Sequence, residues 1–513
     1  MDDAKSRFYI STPIYYVNAS PHIGHAYTSV LADSLARYNY LSGKEIFFLT
    51  GTDEHGAKVS RAADAKNIPV KDFVDENSER FRALATALNL SLNDFIRTSD
   101  EKKHWPGVEK LWQTLANNGD IYKSTYKGLY CVGCEAFITE KDLVDGKCVY
   151  HGKEPEIIEE ENYFFRLSKY GDKIKDAIEK GEMKIFPDSR KNEVLSFIND
   201  GLSDISVSRP ARDVKWGIPV PADPSQIIYV WLDALANYIS ALGFGRGDDS
   251  LFQKFWPVNL HVLAKDILRF HAVIWPAVLL SAEMPLPKAL LVHGFINVSG
   301  KKMSKSIGNV VDPFDLISRY SADSLRHYLL REISPFEDGD FTEEKFKISY
   351  NANLANGLGN CVSRIVKMAL SYFEGKVIKP DEASLSAVPL KEKGEETFSL
   401  PYIFEHQVWP EYEKLMSDMK INEAVEHAGS AVSLLDNYIQ QYEPFKLIKT
   451  DPQKTSVVLW SLLDGIANIS WLIYPFMPET AEKIMKSLGV LASKKSWQDF
   501  SVTPVENLFP KKL

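Results

Sequence analysis

Two histidines and three lysines stand at spacings suited to handling phosphate. His22 and His25 are three apart in Pro21-His22-Ile23-Gly24-His25, and Lys301, Lys302 and Lys305 fall within one short stretch. If a helix begins at the first turn, the two imidazoles share one face of it. Gly24 between them has no Cβ and lets a ligand approach the backbone, and the free N–H groups of a helix start attract anions. The lysines can neutralise a leaving polyphosphate. Either string alone is weak, because most such histidines are packing or surface residues and a lysine-rich loop is usually a solvated turn. Here each follows a strand-like run and precedes an amphipathic pattern, and together they form a strong signal.

A second constellation has the look of a metal site. Cys131-Val132-Gly133-Cys134 is followed after 13 residues by Cys148-Val149-Tyr150-His151, which takes in three of the four cysteines of the chain. That spacing suits tetrahedral Zn²⁺, with a redox Cys-x-x-Cys or chance clustering as the bland alternative. All four ligand positions, Cys131, Cys134, Cys148 and His151, come from protein, so a bound zinc is expected to be structural. The fourth cysteine, Cys361, lies in a helical run and reads as a small buried hydrophobe.

The elements that must position these groups follow an α/β rhythm. Residues 7–17 read as a strand and 26–40 as a helix ending near Gly43. The continuously apolar 46–49 suits a parallel strand covered on both faces. The polar loop 51–56 then falls at the carboxyl end of that strand, where open α/β sheets bind ligands, although Thr52 or Asp53 could equally serve as a helix cap. Residues 57–118 read as largely helical. The rhythm resumes at 227–232, with a strand at 260–263, a helix over 268–280 and a strand at 289–295. From about residue 350 onward the spacing is helical, and 376–397 is a polar connection.

The expected fold class is therefore α/β: a Rossmann-like parallel-sheet catalytic domain split by a zinc-knuckle insertion, followed by an α-helical bundle. The expected domains are 1–118, the first catalytic half; 119–226, the insertion, with its knuckle at 131–151; and 227–325, the second half with the lysine loop. A linker at 326–350 then leads to a helical domain over 351–513.

Composition excludes little. With 513 residues the chain has room for roughly three or four domains. Hydrophobic and charged shares of 45% and 25% are ordinary for globular protein. The net charge of −9 does not advertise a nucleic-acid binder, so any RNA contact needs a local basic surface. The first residues lack an apolar signal region, no apolar run approaches a membrane span, and four cysteines make no disulfide scaffold. A cytoplasmic protein without membrane attachment is expected.

The histidine and lysine strings resemble the two signatures of class I aminoacyl-tRNA synthetases. The likeness narrows to the methionyl-tRNA synthetase family and covers nearly the whole chain. It is carried by Thr12-Pro13-Ile14-Tyr15-Tyr16-Val17-Asn18, the Pro21–His25 string, 51–56, Val230-Trp231-Leu232-Asp233-Ala234, Lys265-Asp266-Ile267 and Lys302-Met303-Ser304-Lys305-Ser306. The resemblance implies ATP-dependent ligation of methionine to its tRNA through a methionyl-adenylate, with Mg²⁺ accompanying ATP. It implies His22, His25, Lys302 and Lys305 as catalytic groups, with Gly24, Lys265 and Asp266 also on ATP. It implies a methionine pocket lined by Ile14, Tyr16, Trp231, Ala234, Tyr238, Phe270 and His271, with Asp53 on the ammonium. An apolar, aromatic-walled slot suits an unbranched thioether, and a tyrosine hydroxyl or a neutral imidazole could mark the sulfur. Without the resemblance, Trp231, Tyr238, Phe270 and His271 would read as core.

Three features depart from the family pattern. Ala264 stands where glycine is common before Lys-Asp. Asn360 and Arg364 match positions used on the anticodon, but the aromatic after Pro444 is Phe445 in place of tryptophan; it can still stack on a base. The chain ends soon after the bundle, so a monomer is expected. Initiator and elongator methionine tRNAs are both expected substrates. The short insertion leaves little room for the editing domain of the valine, isoleucine and leucine enzymes, whose substrates differ by only about 1–3 kcal/mol per methylene. The rivals are a non-catalytic RNA-binding paralogue and another class I ligase, such as one for cysteine.

Overall fold

The computed structural model describes residues 6–134, 136–138, 140, 143–150, 152–303, 308–391, 397–490 and 498–512. They divide into two compact units between Phe295 and Ile296. Lys305 and His151 lie outside the described residues.

The first unit is built on a parallel sheet of seven strands. Lys184–Phe186 forms one edge, followed by Ala289–His293, Leu260–Ala264, Arg7–Ser11 and Glu45–Asp53; Tyr15–Tyr16 and Asp94–Arg97 both pair with the last of these. The apolar runs become strands because helices cover both faces: Phe48, Leu49, Val262, Leu263, Leu290 and Leu291 are fully buried. The chain moves outward in one direction from Arg7–Ser11 and later returns on its other side as Leu260–Ala264. Where the order reverses, the carboxyl ends of these two strands part and leave a crevice. The helix Ile23–Leu41 packs across Arg7–Ser11, Glu45–Asp53 and Leu260–Ala264, so its N-terminal histidines are delivered to the edge where that crevice opens.

Several expected boundaries shift, each for a local reason. The strand expected at 7–17 breaks into Arg7–Ser11 and Tyr15–Tyr16 around Pro13, which has no N–H to give a ladder. The helix expected from residue 26 begins at Ile23, because His22 caps it. Within 57–118 the helices Ala57–Lys66, Val70–Ala87 and Trp105–Asn117 are interrupted by a strand, Asp94–Arg97, too short and polar to stand out. The run at 227–232 is part strand and part helix: Asp223–Ile228 ends a small antiparallel sheet and Val230–Leu235 turns at once into a helix. The expected helix over 268–280 is a π-helical turn, Phe270–Ile274, leading into Trp275–Ser281.

Residues 119–226 are mostly antiparallel. Ile121–Cys131 and Glu156–Phe165 form a long two-stranded ribbon, joined by Ala136–Ile138 and Ile205–Ser206. The segment also supplies Lys184–Phe186 to the parallel sheet.

The second unit begins with Ile296–Val298, which pairs with Lys301–Lys302 and with Gly339–Phe341. These pairings tie the lysine hairpin to the residues after it, which is why the contacts divide the chain at 295 and not near 325. The stretch expected as a linker at 326–350 is ordered into the helix Ala322–Glu332, the strand Gly339–Phe341 and the helix Glu343–Ser349. Asn360–Phe373, Ile421–Tyr442, Pro452–Ile473 and Pro478–Leu488 make the bundle, with two short strand pairs at its margins. Among the described helices only Pro452–Ile473 has the length and apolarity to cross a membrane, and 78% of that apolar window is buried inside the fold.

Candidate active site

His22 and His25 first of all build the start of their own helix. The Nδ1 of His22 accepts from the Gly24 N–H at 3.1 Å, and the Nδ1 of His25 accepts from the His22 N–H at 3.1 Å. The arrangement is a capping box in which imidazoles replace the usual oxygen acceptors. It corrects the simple expectation of a free helix terminus, since the histidines satisfy some of the N–H groups that an anion would otherwise use. The same bonds fix the chemistry of the rings. With both Nδ1 atoms accepting, each neutral ring carries its proton on Nε2, and the rings stack at 3.8 Å. His25 is enclosed by the edges of Tyr15 and Phe81. Burial, and then the neighbouring His22, hold its pKa well below the usual value. Neutral His25 offers a phosphate a hydrogen-bond donor and no full charge.

The residues expected around methionine come together from four stretches of chain. Trp231 lies flat on Phe270 with ring centres 3.6 Å apart, and the Tyr16 ring meets Trp231 edge-on at 6.3 Å. Ile14, Tyr16 and Trp231 pack against the main apolar cluster that includes Tyr238. Tyr16 is the backbone partner of Asp53, a carboxylate only 2% exposed at the end of its strand. Ala234 follows Trp231 by one helical turn and is buried.

The polar groups of this cluster bond to one another. His271 Nδ1 lies 3.0 Å from the Ile267 carbonyl and its Nε2 lies 2.7 Å from the Tyr238 hydroxyl. A carbonyl accepts only, so Nδ1 bears the proton, and the tyrosine donates to Nε2. Burial brings the imidazole pKa down to about 4 despite that carbonyl bond, so it is neutral at physiological pH. The one hydroxyl hydrogen of Tyr238 is thus spent on His271, and aromatic rings dominate the rest of the cluster. The π-helical turn Phe270–Ile274 sets both Phe270 and His271, in keeping with the use of such turns at functional sites.

Lys265 and Asp266 form a tight turn directly after Leu260–Ala264, at the crevice. Lys265 Nζ lies over the Phe295 ring at 4.8 Å, and Asp266 is exposed. In the second unit Lys301–Lys302 is an exposed strand of the hairpin with Ile296–Val298.

The knuckle sits at the end of the long ribbon. The thiols of Cys131, Cys134 and Cys148 all lie within 4.8 Å of one another, and Cys134 Sγ is 3.6 Å from Cys148 Sγ. Burial and then the flanking Cys131 and Cys148 push the Cys134 thiol up. Three cysteine sulfurs gathered this closely make a donor set that suits a divalent cation, so these residues fit a metal.

Comparison with known proteins decides the family. The family described as tRNA synthetases class I (M) matches residues 8–148 and 138–366, and the anticodon binding domain of methionyl tRNA ligase matches 392–511. The chain is 42% identical over 496 residues to the methionine–tRNA ligase of Caldanaerobacter subterraneus, covering 96% of this chain and 76% of that one. It is 43% identical over 517 residues to that of Rickettsia conorii, covering 98% and 99%. The Mycobacterium tuberculosis methionyl-tRNA synthetase in complex with methionyl-adenylate superposes with a TM-score of 0.91 at 36% identity, covering 98% of this chain and 100% of that one. The chain belongs to the methionyl-tRNA synthetase family.

The three expected anticodon positions are all exposed on the helical unit. Asn360 and Arg364 are one turn apart on Asn360–Phe373, and Arg364 pairs with Asp436 at 3.0 Å. Asp436 lies on Ile421–Tyr442, and the short helix Pro444–Leu447 that follows carries Phe445, 49% exposed. Lys446 Nζ lies 5.9 Å from the centre of the Phe445 ring, and an exposed aromatic beside a cation suits base stacking.

Sequence reasoning missed the polar groups behind the candidate pocket. His55 and His104 both bond Asp233, and Ser11 Oγ lies 2.7 Å from His261 Nδ1 at the crevice. A single signal was available: Asp233 is an acid inside the apolar run Val230–Leu235, where nothing but a buried partner would keep it.

Proposed function

We propose that the chain ligates methionine to its tRNA in two steps, by way of a methionyl-adenylate. The near full-length match to a synthetase solved with methionyl-adenylate carries this reading. In the first step a methionine carboxylate oxygen forms a bond to the α-phosphorus of ATP, the bond to the β-phosphate oxygen breaks, and pyrophosphate leaves. The carboxylate needs no base, so the chain has only to position the reactants and stabilise charge. In the second step the methionyl group moves to a ribose hydroxyl at the tRNA terminus and AMP leaves.

His22 and His25 direct Nε2–H donors at the ATP phosphates, a role supported by the capping bonds that fix their tautomers. Gly24 lets the nucleotide approach, while Lys265 and Asp266 meet the nucleoside end, Asp266 on the ribose hydroxyls. Lys302 and Lys305 take up charge on the departing pyrophosphate, and Mg²⁺ bound with ATP would share it. Asp53 accepts from the methionine ammonium. Ile14, Tyr16, Trp231, Ala234, Tyr238, Phe270 and His271 enclose the side chain.

Zinc held by Cys131, Cys134 and Cys148, with His151 as fourth ligand, supplies structure and no chemistry. Asn360, Arg364 and Phe445 read the anticodon of methionine tRNAs. A cytoplasmic monomer without membrane attachment is the setting proposed for this activity.

Amino-acid-dependent ATP–pyrophosphate exchange, scanned across the twenty amino acids, tests the reading. Exchange with methionine alone supports both ligase and pocket. Exchange with a different amino acid keeps the class and overturns the pocket. No exchange from folded, zinc-loaded protein moves a non-catalytic RNA-binding paralogue to the front.

A further inference from the structure

A buried carboxylate behind the candidate pocket has no part in the mechanism above. Both oxygens of Asp233, 1% exposed, meet imidazoles: Oδ2 lies 2.7 Å from His55 Nδ1 and Oδ1 lies 2.7 Å from His104 Nε2. The second nitrogen of His104 lies 2.7 Å from Ser240 Oγ. All four side chains are buried. Although burial pushes the Asp233 carboxyl up, the adjoining His55 and His104 hold it below the usual carboxylate range.

Packing alone does not call for this cluster. Hydrophobic residues of similar volume would fill the same space at lower desolvation cost, and fixing a geometry is one attested use of polar groups kept in such places. What the cluster joins is specific. His55 lies two residues after Asp53, and Asp233 lies between Trp231 and Ala234 on their helix. His104 immediately precedes the helix Trp105–Asn117. Through its two nitrogens it holds both Asp233 and Ser240, the two ends of the segment that also presents Tyr238. The close approach is built in from the other side: a Cβ on Gly107 would lie 2.7 Å from the Cβ of Ser240. Only glycine lets the start of that helix come near enough for His104 to reach.

We infer that Asp233 is a positioning residue for methionine. With His55 and His104 it fixes the distance between the Asp53 carboxylate, which receives the ammonium, and the Trp231–Ala234 wall, which receives the thioether. The inference rests on the pocket reading given above. Acting through other residues, Asp233 sets affinity for methionine and leaves the nucleotide side of the crevice alone.

The test is steady-state ATP–pyrophosphate exchange with methionine and ATP varied separately in wild type, Asp233→Asn, His104→Leu, His104→Gln and Ser240→Ala. Wild-type exchange with methionine checks the pocket reading by itself. Asp233→Asn and His104→Leu are expected to raise the methionine KM about 10-fold or more with the ATP KM within about twofold. His104→Gln, which keeps a donor near the Nε2 position, is expected to recover most of that loss. Ser240→Ala removes one hydroxyl, threatens folding least, and is expected to raise the methionine KM about threefold. An unchanged methionine KM in Ser240→Ala and in whichever of the other variants fold would overturn the inference. So would equal rises for methionine and ATP, which mark general loosening.

Discussion

The indole Nε1–H of Trp231 donates to the carbonyl oxygen of Cys134 at 3.3 Å. One wall of the candidate methionine slot is therefore hung from the cysteine knuckle, although the two lie far apart in sequence. A knuckle that loses its shape removes an acceptor from Trp231 and frees the ring that stacks on Phe270.

Metal loss should therefore be felt in the slot. Cys131→Ser is expected to release bound zinc on dialysis, measured by metal content, and to raise the methionine KM several-fold while thermal melting of the helical unit stays unchanged. Retention of one equivalent of zinc would remove Cys131 from the ligand set.

The two roles of His22, helix cap and phosphate donor, can be separated. Asparagine is a good N-cap, so His22→Asn should keep folding stability within about 1 kcal/mol of wild type by denaturant melt. It loses the Nε2–H donor, and exchange should fall about 10²–10³-fold, the scale of single-donor losses at charged transition states. Melting and activity falling together would show that the cap is the whole of its role.

Asp464 gives the helical unit a pH response. Buried on Pro452–Ile473 and bonded at 3.2 Å by Asn468, its carboxyl is pushed by burial from 3.8 to about 7. Between those values the unfolded chain gives up the proton while the folded chain keeps it. The stabilisation is thus full below pH 3.8 and is lost as pH rises through 7, at about 1.4 kcal/mol for each pH unit crossed. Asp464→Asn is expected to melt higher than wild type at pH 8 and level with it near pH 4, read by circular dichroism across that range.

Phe445→Ala should weaken methionylation of tRNA about 10-fold, in line with about 1–3 kcal/mol for one stacked base, and leave ATP–pyrophosphate exchange intact. Parallel losses in both assays would contradict a role confined to the anticodon.

The sequence was most informative where pattern and chemistry are local. The apolar runs at 46–49 and 260–263 are strands because each is covered on both faces, the strand expected at 289–295 ends at His293, and the two His-x-Gly-His imidazoles three apart do share a helix start. The cysteine spacing brought Cys131, Cys134 and Cys148 to one point. Relations set by tertiary contact were hidden. Nothing near Tyr238 announces that its hydroxyl is committed to His271, 33 residues away. Asp233 and His104 are 129 residues apart. Lys184–Phe186 reads as part of the insertion because three residues carry no periodicity, yet their register partners are Ala289, Leu290 and Leu291.

That edge strand bears on how the chain can be shortened. Cutting out residues 119–226 as a unit would uncover one side of Ala289–His293, whose Leu290, Leu291 and Val292 are essentially inaccessible in the intact fold. Bare N–H and C=O groups along so apolar a strand are a template for pairing with a second molecule, so such a truncation should aggregate on expression. Trimming only the knuckle, with the ribbon rejoined by a tight turn, leaves the border guarded and should give soluble protein whose Trp231 has lost its acceptor.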